Sequence, residues 1–204
     1  MTELTTRLLM KLTRATIDDA ERCLEPIKNA LQKYEINTPK RVAAFLATIA
    51  VESINLSKFE EGLYYKDPLR VATIFKRVFD FNKDGRISDA EISNAKKYTK
   101  NPKELSKILY QGFHGRGPIQ ITWEKNYRAF SDDTGIDVIS NLDLLVDDLT
   151  IGFESAGWFW YVNGCNDAAD SGSMKAVTRI VNGPALMHLS ERTALYNAAV
   201  KKLV

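Results

Sequence analysis

The stretch 38-TPKRVAAFLATIAVESINLSKFEEGLYY-65 decides the fold. Thr38 followed by Pro39 is typical of a helix start, with the threonine as the cap and the proline as the first helical residue. Apolar residues then recur at helical spacing and form one stripe, made of Val42, Phe45, Leu46 and Ile49. The stretch therefore predicts a helix that buries this stripe, and few other parts of the chain resemble strands. We expect a mainly helical protein organised around it.

One carboxylate falls on the apolar face of this predicted helix. Glu52 follows Phe45 by seven residues, which places it on the same stripe and near the C-terminal end of the helix. Apolar neighbours and the negative end of the helix dipole both favour the neutral, protonated carboxyl group. This combination prepares a general acid.

A second carboxylate follows in the segment Glu60-Glu61. Glu61 is nine residues after Glu52, so on one continuous helix the two would lie on opposite faces, about 13 Å apart along the axis. Asn55 and Ser57 are poor helix formers, however, so we expect the helix to end and the chain to turn back. Two carboxylates facing each other across a cleft suit glycoside hydrolysis. The alternative is a salt-bridged Glu52 and a solvated Glu60-Glu61 pair.

The segment 80-DFNKDGRISDAE-91 matches the twelve-residue EF-hand calcium loop. The predicted Ca²⁺ ligands are Asp80, Asn82, Asp84, the backbone carbonyl of Arg86, Ser88 through a water, and Glu91. Gly85 stands where the loop needs its sharp turn, and both flanks have helical patterns. We therefore expect a helix–loop–helix insertion over residues 69–98. The alternative is an acidic turn that binds nothing.

The segment 113-FHGRGPIQITWEKNY-127 predicts a loop followed by a strand. The loop signal is the Gly115–Pro118 turn, and the strand signal is the alternation over Ile119–Trp123. Gln120, Thr122 and Asn126 offer uncharged hydrogen-bonding groups on this framework. Such groups suit sugar hydroxyls and a positioned water molecule. A buried structural turn is the alternative.

The remaining patterns predict further helices. Two apolar patterns over residues 1–36 predict N-terminal helices, with Pro26 as a kink or a break. Later helices are predicted over Leu142–Val146, Ile151–Val162, Val177–Asn182 and Leu189–Val204.

Composition limits the functional classes. The 204 residues, 45% of them hydrophobic, suit a single catalytic domain over 1–204. A net charge of +2 is too small to indicate nucleic-acid binding, and no stretch approaches the roughly 20 apolar residues of a membrane span. The N-terminus lacks a signal-peptide pattern, so we expect the protein to be made in the cytoplasm. We also expect it to be a monomer. Cys23 and Cys165 predict two reduced thiols, with a single disulfide as the alternative.

Several segments together resemble the family 19 glycoside hydrolases, which have a chitinase-type, lysozyme-like fold with a small strand region. They are AFLATIAVES, EEGLYY, GRGPIQIT, SAGWFW, VTRIVNG and ERTALY, and they run from about Asn37 to Tyr196 with the EF-hand segment interrupting them. More narrowly, the chain is similar to the short, single-domain phage endolysins of that family.

The resemblance implies a role for each matching residue. It implies Glu52 as general acid, Glu61 as second carboxylate, Thr122 as holder of the attacking water, Gln120 and Asn126 as substrate contacts, and Asn182 and Arg192 as polar cleft residues. The chain departs from the family pattern at two places. Val51 replaces the usual histidine before the acid, and Leu186 stands near the position of an acidic residue that plant members carry.

The activity that the resemblance implies is hydrolysis of the β-1,4 bonds of peptidoglycan with inversion, for lysis of a host cell. The EF-hand loop, which lies between Glu61 and the glycine-rich turn, adds the expectation that calcium regulates this activity. Inversion needs carboxyl groups roughly 6.5–9.5 Å apart. Such a protein is made in the host cytoplasm and acts in the periplasm or cell wall after release. Two alternatives are a chitinase, and a calcium-binding module whose lysozyme-like domain is inactive.

Overall fold

The computed structural model describes residues 3–203 and confirms a mainly helical single domain. Its α-helices are, in chain order, α1 Thr6–Thr13, α2 Ile17–Lys33, α3 Pro39–Glu52, α4 Pro68–Ile74, α5 Lys76–Phe79, α6 Asp89–Ala95, α7 Pro102–Tyr110, α8 Glu124–Thr134, α9 Leu144–Asp147, α10 Leu149–Val162, α11 Cys165–Asp170, α12 Met174–Asn182 and α13 Leu189–Leu203. Two single turns of 3₁₀-helix add Lys96–Tyr98 and Gly183–Ala185.

Helix α3 lies at the centre of the fold, as the opening stretch predicts. The Thr38 hydroxyl accepts a hydrogen bond from the Arg41 N–H at 3.2 Å, and Pro39 is the first helical residue. All residues from 42 to 50 are buried. Helix α13 packs along α3, and α1, α11 and α12 also contact it. The apolar stripe is therefore only part of a helix that is covered on nearly every side.

The buried apolar residues form two separate cores. The main core draws on residues 4–59 and 119–203. The small core consists of Leu63, Val71, Ala72, Phe79, Ala95 and Leu105. The chain crosses between the two cores at residues 60–62 and again at residues 111–118. Glu61 lies on the first of these crossings.

The predicted strand over Ile119–Trp123 is wrong. In the described residues the extended pairing reduces to two isolated antiparallel bridges, Glu60 with Arg116 and Arg116 with Ile121. Gln120 and Trp123 have φ angles of +60° and +74°, which an extended strand cannot accommodate. The expected small strand region is therefore a tight turn.

Of the two outcomes predicted at Pro26, a kink or a break, the break does not occur. Helix α2 runs through it without interruption, although proline removes one helical hydrogen bond. Residues on both sides of the proline, such as Ala20 and Ile27, are buried on one face of the helix. Tertiary packing therefore overrides the local cost.

Both cysteines are free and buried, which agrees with the prediction of reduced thiols. Burial raises the pKa of Cys23 and of Cys165 to about 12. Thiols with so little thiolate are unreactive. In the described part of the chain, no helix has the length and apolarity needed to span a bilayer.

Candidate active site

Glu52 is the last residue of α3, and a polar cluster surrounds its carboxylate. Asn182 donates an amide hydrogen bond to Glu52 Oε1 at 3.1 Å, and the Arg192 guanidinium pairs with the same oxygen. Arg192 also donates to Asn182 Oδ1 at 2.9 Å and to the Thr48 carbonyl at 3.4 Å. The structure thus brings Glu52 together with two residues that lie 130 and 140 positions away in the sequence.

Arg192 changes the electrostatics expected for Glu52. Apolar neighbours alone would favour a protonated carboxyl group, but a guanidinium only 1% exposed lies against this one. The salt bridge that the alternative reading of the sequence gave to Glu52 is therefore present.

A strained turn follows Glu52 and reverses the chain. Ile54, Asn55 and Leu56 have φ angles of +50°, +58° and +67°, a run of left-handed residues without a glycine. The Ser53 hydroxyl accepts from the Leu56 N–H at 2.9 Å, and Arg22 donates to the Leu56 carbonyl at 3.1 Å. Strain of this kind needs surrounding contacts to persist. These contacts let the chain return towards the end of α3.

Glu61 lies on the first crossing of the chain, and two groups donate hydrogen bonds to its carboxylate. The Tyr110 hydroxyl donates to Glu61 Oε1 at 2.8 Å, and the Gly115 N–H donates to Oε2 at 3.2 Å. The Glu61 N–H in turn donates to the Gly115 carbonyl at 2.9 Å. A carboxylate has about four sites that accept hydrogen bonds, so Glu61 can still accept one from a water molecule. Tyr110 has no distinguishing signal in the sequence, and sequence reasoning missed it.

Glu60 has different partners from Glu61. It lies 2.9 Å from His114 Nε2, and Arg116 Nε lies 3.8 Å away. The other ring nitrogen of His114 is 2.7 Å from the buried Ser106 hydroxyl. Neighbouring residues in extended backbone point to opposite sides, which explains why the two glutamates separate. Glu60 thus belongs to a structural network that ties the two chain crossings together.

Gly115 explains how the glycine-rich turn approaches Glu61. A Cβ atom at this position would lie 2.8 Å from Gln120 Oε1 and 3.3 Å from the Thr122 hydroxyl. The absence of a side chain at Gly115 leaves Gln120 and Thr122 their present positions around the peptide unit that contacts Glu61. Asn126 is anchored beside them, since its amide donates to the Thr122 carbonyl at 2.7 Å.

The predicted calcium loop forms a compact turn between α5 and α6. The Gly85 N–H donates to Asp80 Oδ2 at 3.0 Å, and the Arg86 N–H donates to Asp84 Oδ1 at 2.7 Å. Asp80 Oδ1 is buried and has no hydrogen-bond partner. Glu91 instead turns both oxygens to the protein, accepting from the Phe81 N–H and from the N–H and hydroxyl of Ser88.

Because of these contacts, the predicted calcium ligands do not all point to one centre. Within residues 3–203, no group of three or more His, Cys, Asp or Glu side chains is arranged to hold a metal ion. The hydrogen bonds from Ser88, followed by that from Phe81, keep the pKa of Glu91 below its usual range. The Asp80 end of the loop is therefore the part that fits a cation, because a buried carboxylate oxygen without a partner is costly.

The mainly helical domain, with one glutamate at the end of α3 and a second on a separate segment, has the fold of the chitinase-type, lysozyme-like glycoside hydrolases. The family model Glyco_hydro_19, chitinase class I, matches residues 79–180. A glycosyl hydrolase family 19 domain-containing protein of Haemophilus influenzae is 31% identical over 193 residues, covering 85% of this chain and 86% of its own. The chain belongs to glycosyl hydrolase family 19.

One further relative and two solved structures are similar over different shares of the chain. Chitinase 8 of Oryza sativa is 32% identical over 100 residues, which is 40% of this chain and 38% of that protein. Chitinase C from Streptomyces griseus has the same fold, with a TM-score of 0.64, 18% identity, and coverage of 98% of this chain and 91% of its own. A class IV chitinase from Zea mays gives a TM-score of 0.54 at 20% identity, covering 87% of this chain and 78% of its own.

The matched range of the family model includes residues 80–91, the predicted calcium loop, together with Gln120, Thr122 and Asn126. It begins after both Glu52 and Glu61. The roles of the two carboxylates therefore depend on the geometry described above.

Proposed function

We propose that the protein hydrolyses the β-1,4 bonds between N-acetylmuramic acid and N-acetylglucosamine in peptidoglycan. The observation that carries the proposal is the pair of carboxylates, each fixed by its own hydrogen-bond network. Glu52 is held by Asn182 and Arg192 at the end of α3, and Glu61 is held by Tyr110 and the Gly115 N–H on a different segment. Hydrolysis of a glycosidic bond needs two carboxyl groups, and here each is held by a different segment of the chain.

The proposed reaction is a single displacement. Glu52 gives its proton to the leaving glycosidic oxygen as the bond to the anomeric carbon breaks. A water molecule, held by the Thr122 hydroxyl, attacks that carbon from the opposite face and loses its proton to Glu61. The product is inverted, and a proton returns from Glu61 to Glu52 through solvent before the next cycle.

A chitinase is the second candidate, and the names of the relatives favour it. The rice protein is called a chitinase, as are the similar structures from Streptomyces griseus and Zea mays. Both polymers have β-1,4-linked N-acetylated sugars, and peptidoglycan alone carries a lactyl group and peptide on alternate rings. The resemblance to short phage endolysins favours peptidoglycan.

The test compares the two polymers directly. Purified sacculi and chitin oligomers are digested side by side, and the new reducing ends are identified by mass spectrometry. A reducing N-acetylmuramic acid end supports the proposal. A rate on chitin oligomers comparable to that on sacculi supports the chitinase instead. No turnover of either polymer, together with calcium binding, would favour a calcium-binding module with an inactive domain.

The proposed endolysin role also specifies where the protein acts. The protein would be made in the host cytoplasm, and another factor would release it to the cell wall. Expression inside bacteria should then cause lysis only when the inner membrane is permeabilised. Lysis at the same rate without permeabilisation would contradict this part of the proposal.

The proposal also assigns a Ca²⁺ ion to the loop from Asp80 to Glu91. The twelve-residue pattern and the buried, unpartnered Asp80 Oδ1 support it. The present contacts of Glu91 oppose it, because a bidentate role requires this side chain to leave the Phe81 and Ser88 donors. The ion would supply positive charge among the acidic side chains and fix the angle between the flanking helices.

Calcium bound there is proposed to raise activity through the small core. Phe79 directly precedes the loop and belongs to that core, which also contains Leu63 and Leu105. Leu63 is two residues from Glu61, and Leu105 lies on the helix that carries Tyr110. Chelator-treated protein should therefore lyse sacculi more slowly than protein with added calcium. Full activity after chelation would leave the loop a structural turn.

A further inference from the structure

Trp123 is an exposed aromatic side chain in a strained backbone position beside the site. It directly follows Thr122, its side chain is 48% exposed, and its φ and ψ angles are +74° and 137°. The Trp123 N–H donates to the Phe113 carbonyl at 2.8 Å, which helps to hold this conformation. A bulky residue with positive φ is a genuine outlier, and such strain concentrates at ligand-binding and active sites.

The indole ring of Trp123 contacts the residue that holds Glu61. Its ring centroid lies 5.2 Å from that of Tyr110, with the planes inclined at 64°. The Tyr110 hydroxyl donates to Glu61 Oε1 at 2.8 Å. A continuous chain of contacts therefore runs from an exposed aromatic surface to the second carboxylate.

The protonation of Tyr110 makes this contact durable. Burial, followed by the hydrogen bond to Glu61, raises the pKa of Tyr110 well above its usual range. The hydroxyl therefore remains a donor at every pH at which the enzyme would work. The ring of Tyr110 also packs against the small core.

We propose that Trp123 is a stacking platform for one N-acetylhexosamine ring of the substrate, and that Tyr110 is the positioning residue that couples this platform to Glu61. The inference rests on the proposed function and adds a binding subsite and a positioning residue to it. The apolar C–H face of a pyranose ring suits an exposed indole, whose large apolar surface is otherwise in water. A ring stacked there also restricts the motion of the indole, and hence of Tyr110.

The two aromatic residues should have different kinetic signatures. Tyr110→Phe keeps the ring that packs on Trp123 but removes the hydroxyl that orients Glu61, so kcat should fall roughly 10- to 100-fold with little change in KM. Trp123→Ala removes the platform and the packing of Tyr110, so KM should rise on the order of tenfold and kcat should also fall. Trp123→Phe should restore much of the loss.

Tyr98→Phe is the matched control for Tyr110→Phe. Tyr98 packs on Phe79 next to the small core and makes no hydrogen bond to Glu61 among the contacts of the described chain. Its replacement should leave kcat and KM within twofold. A Tyr110→Phe variant that also stays within twofold would overturn the positioning role.

Fluorescence gives a binding test that does not need turnover. The chain has three tryptophans, and Trp158 and Trp160 are only 5% and 0% exposed. Acrylamide should therefore quench mainly Trp123, and a bound oligosaccharide should protect it. The probes are N-acetylglucosamine oligomers and muramic-acid-containing glycan fragments, titrated into the inactive Glu52→Gln variant.

The outcomes separate this inference from the function on which it rests. Protection by a bound oligosaccharide, lost in Trp123→Ala, supports the platform. Oligosaccharide binding measured by calorimetry without any protection of Trp123 overturns the platform and leaves the function standing. A chain that neither binds nor cleaves either kind of glycan overturns both.

Discussion

Replacement of Arg192 by methionine tests the geometry of the acid site most directly. Arg192 is 1% exposed, and its guanidinium contacts the Glu52 carboxylate, the Asn182 side chain and the Thr48 carbonyl. Methionine occupies a similar volume without charge. The variant therefore leaves the Glu52 carboxylate, whose side chain is only 15% exposed, without its positive partner.

The expected cost is large for a single substitution. Removing one member of a buried ion pair costs about 3–5 kcal/mol, because the remaining charge stays buried without compensation. For a protein of about 200 residues, each kcal/mol lowers Tm by roughly 2–4 °C. The Tm of Arg192→Met should therefore fall by about 6–20 °C. Catalysis should fall as well, because Glu52 loses the contact that orients it.

Thermal unfolding followed by circular dichroism measures this effect. Arg179→Met is the matched control, since Arg179 is exposed on α12 and the chemical change is the same. It should alter stability by no more than about 0.5 kcal/mol. The double variant Glu52→Gln/Arg192→Met should recover part of the lost stability, because both members of the pair are then uncharged. A Tm for Arg192→Met equal to that of the control would refute the buried pair.

Three further predictions follow from the two carboxylates and the loop. Glu52→Gln should lower the lytic rate on sacculi by about 10²–10⁴-fold, because the amide has no proton to deliver, while circular dichroism still shows a folded protein. Glu61→Gln should reduce turbidity loss on permeabilised cells far more than Glu60→Gln, and the reverse order would exchange their roles. Calcium at a hundred times its dissociation constant should stabilise the protein by about 2.7 kcal/mol, measured as a rise in Tm, and Asp80→Ala should abolish the rise.

The sequence predicts elements and residue types because both leave local signals. The Thr38-Pro39 start of α3, its buried stripe and the carboxylate at its end all lie in the helix of 14 residues and the cap before it. Asn55 and Ser57 predict the turn after Glu52, but not its left-handed run, since asparagine tolerates positive φ whereas the neighbouring Ile54 and Leu56 give no signal for it. Local patterns also failed at Ile119–Trp123, where two strained residues interrupt an alternation that is typical of a strand.

The contacts that turn these residues into a site are all long-range. Glu52 meets Asn182 and Arg192 across 130 and 140 residues of chain. Glu61 meets Tyr110 and Gly115 across 49 and 54 residues. A periodicity window of 11–18 residues contains none of these pairs, so only the resemblance to a family could assign Asn182 and Arg192 in advance. Tyr110 belongs to no quoted family segment, and the structure was needed to find it.

The two carboxylates depend on different parts of the molecule. Glu52 ends the most deeply buried helix, and its partners stand on or beside α12 and α13 in the main core. Glu61 lies where the chain crosses to the small core, and its tyrosine partner is the last residue of a helix packed there. The small core has six buried apolar members, far fewer than the main core, so it is the less stable support. A change in the order of that core would therefore move Glu61 and leave Glu52 in place. The calcium regulation proposed above should consequently appear in kcat, through the position of Glu61, before it appears in the stability of the main core.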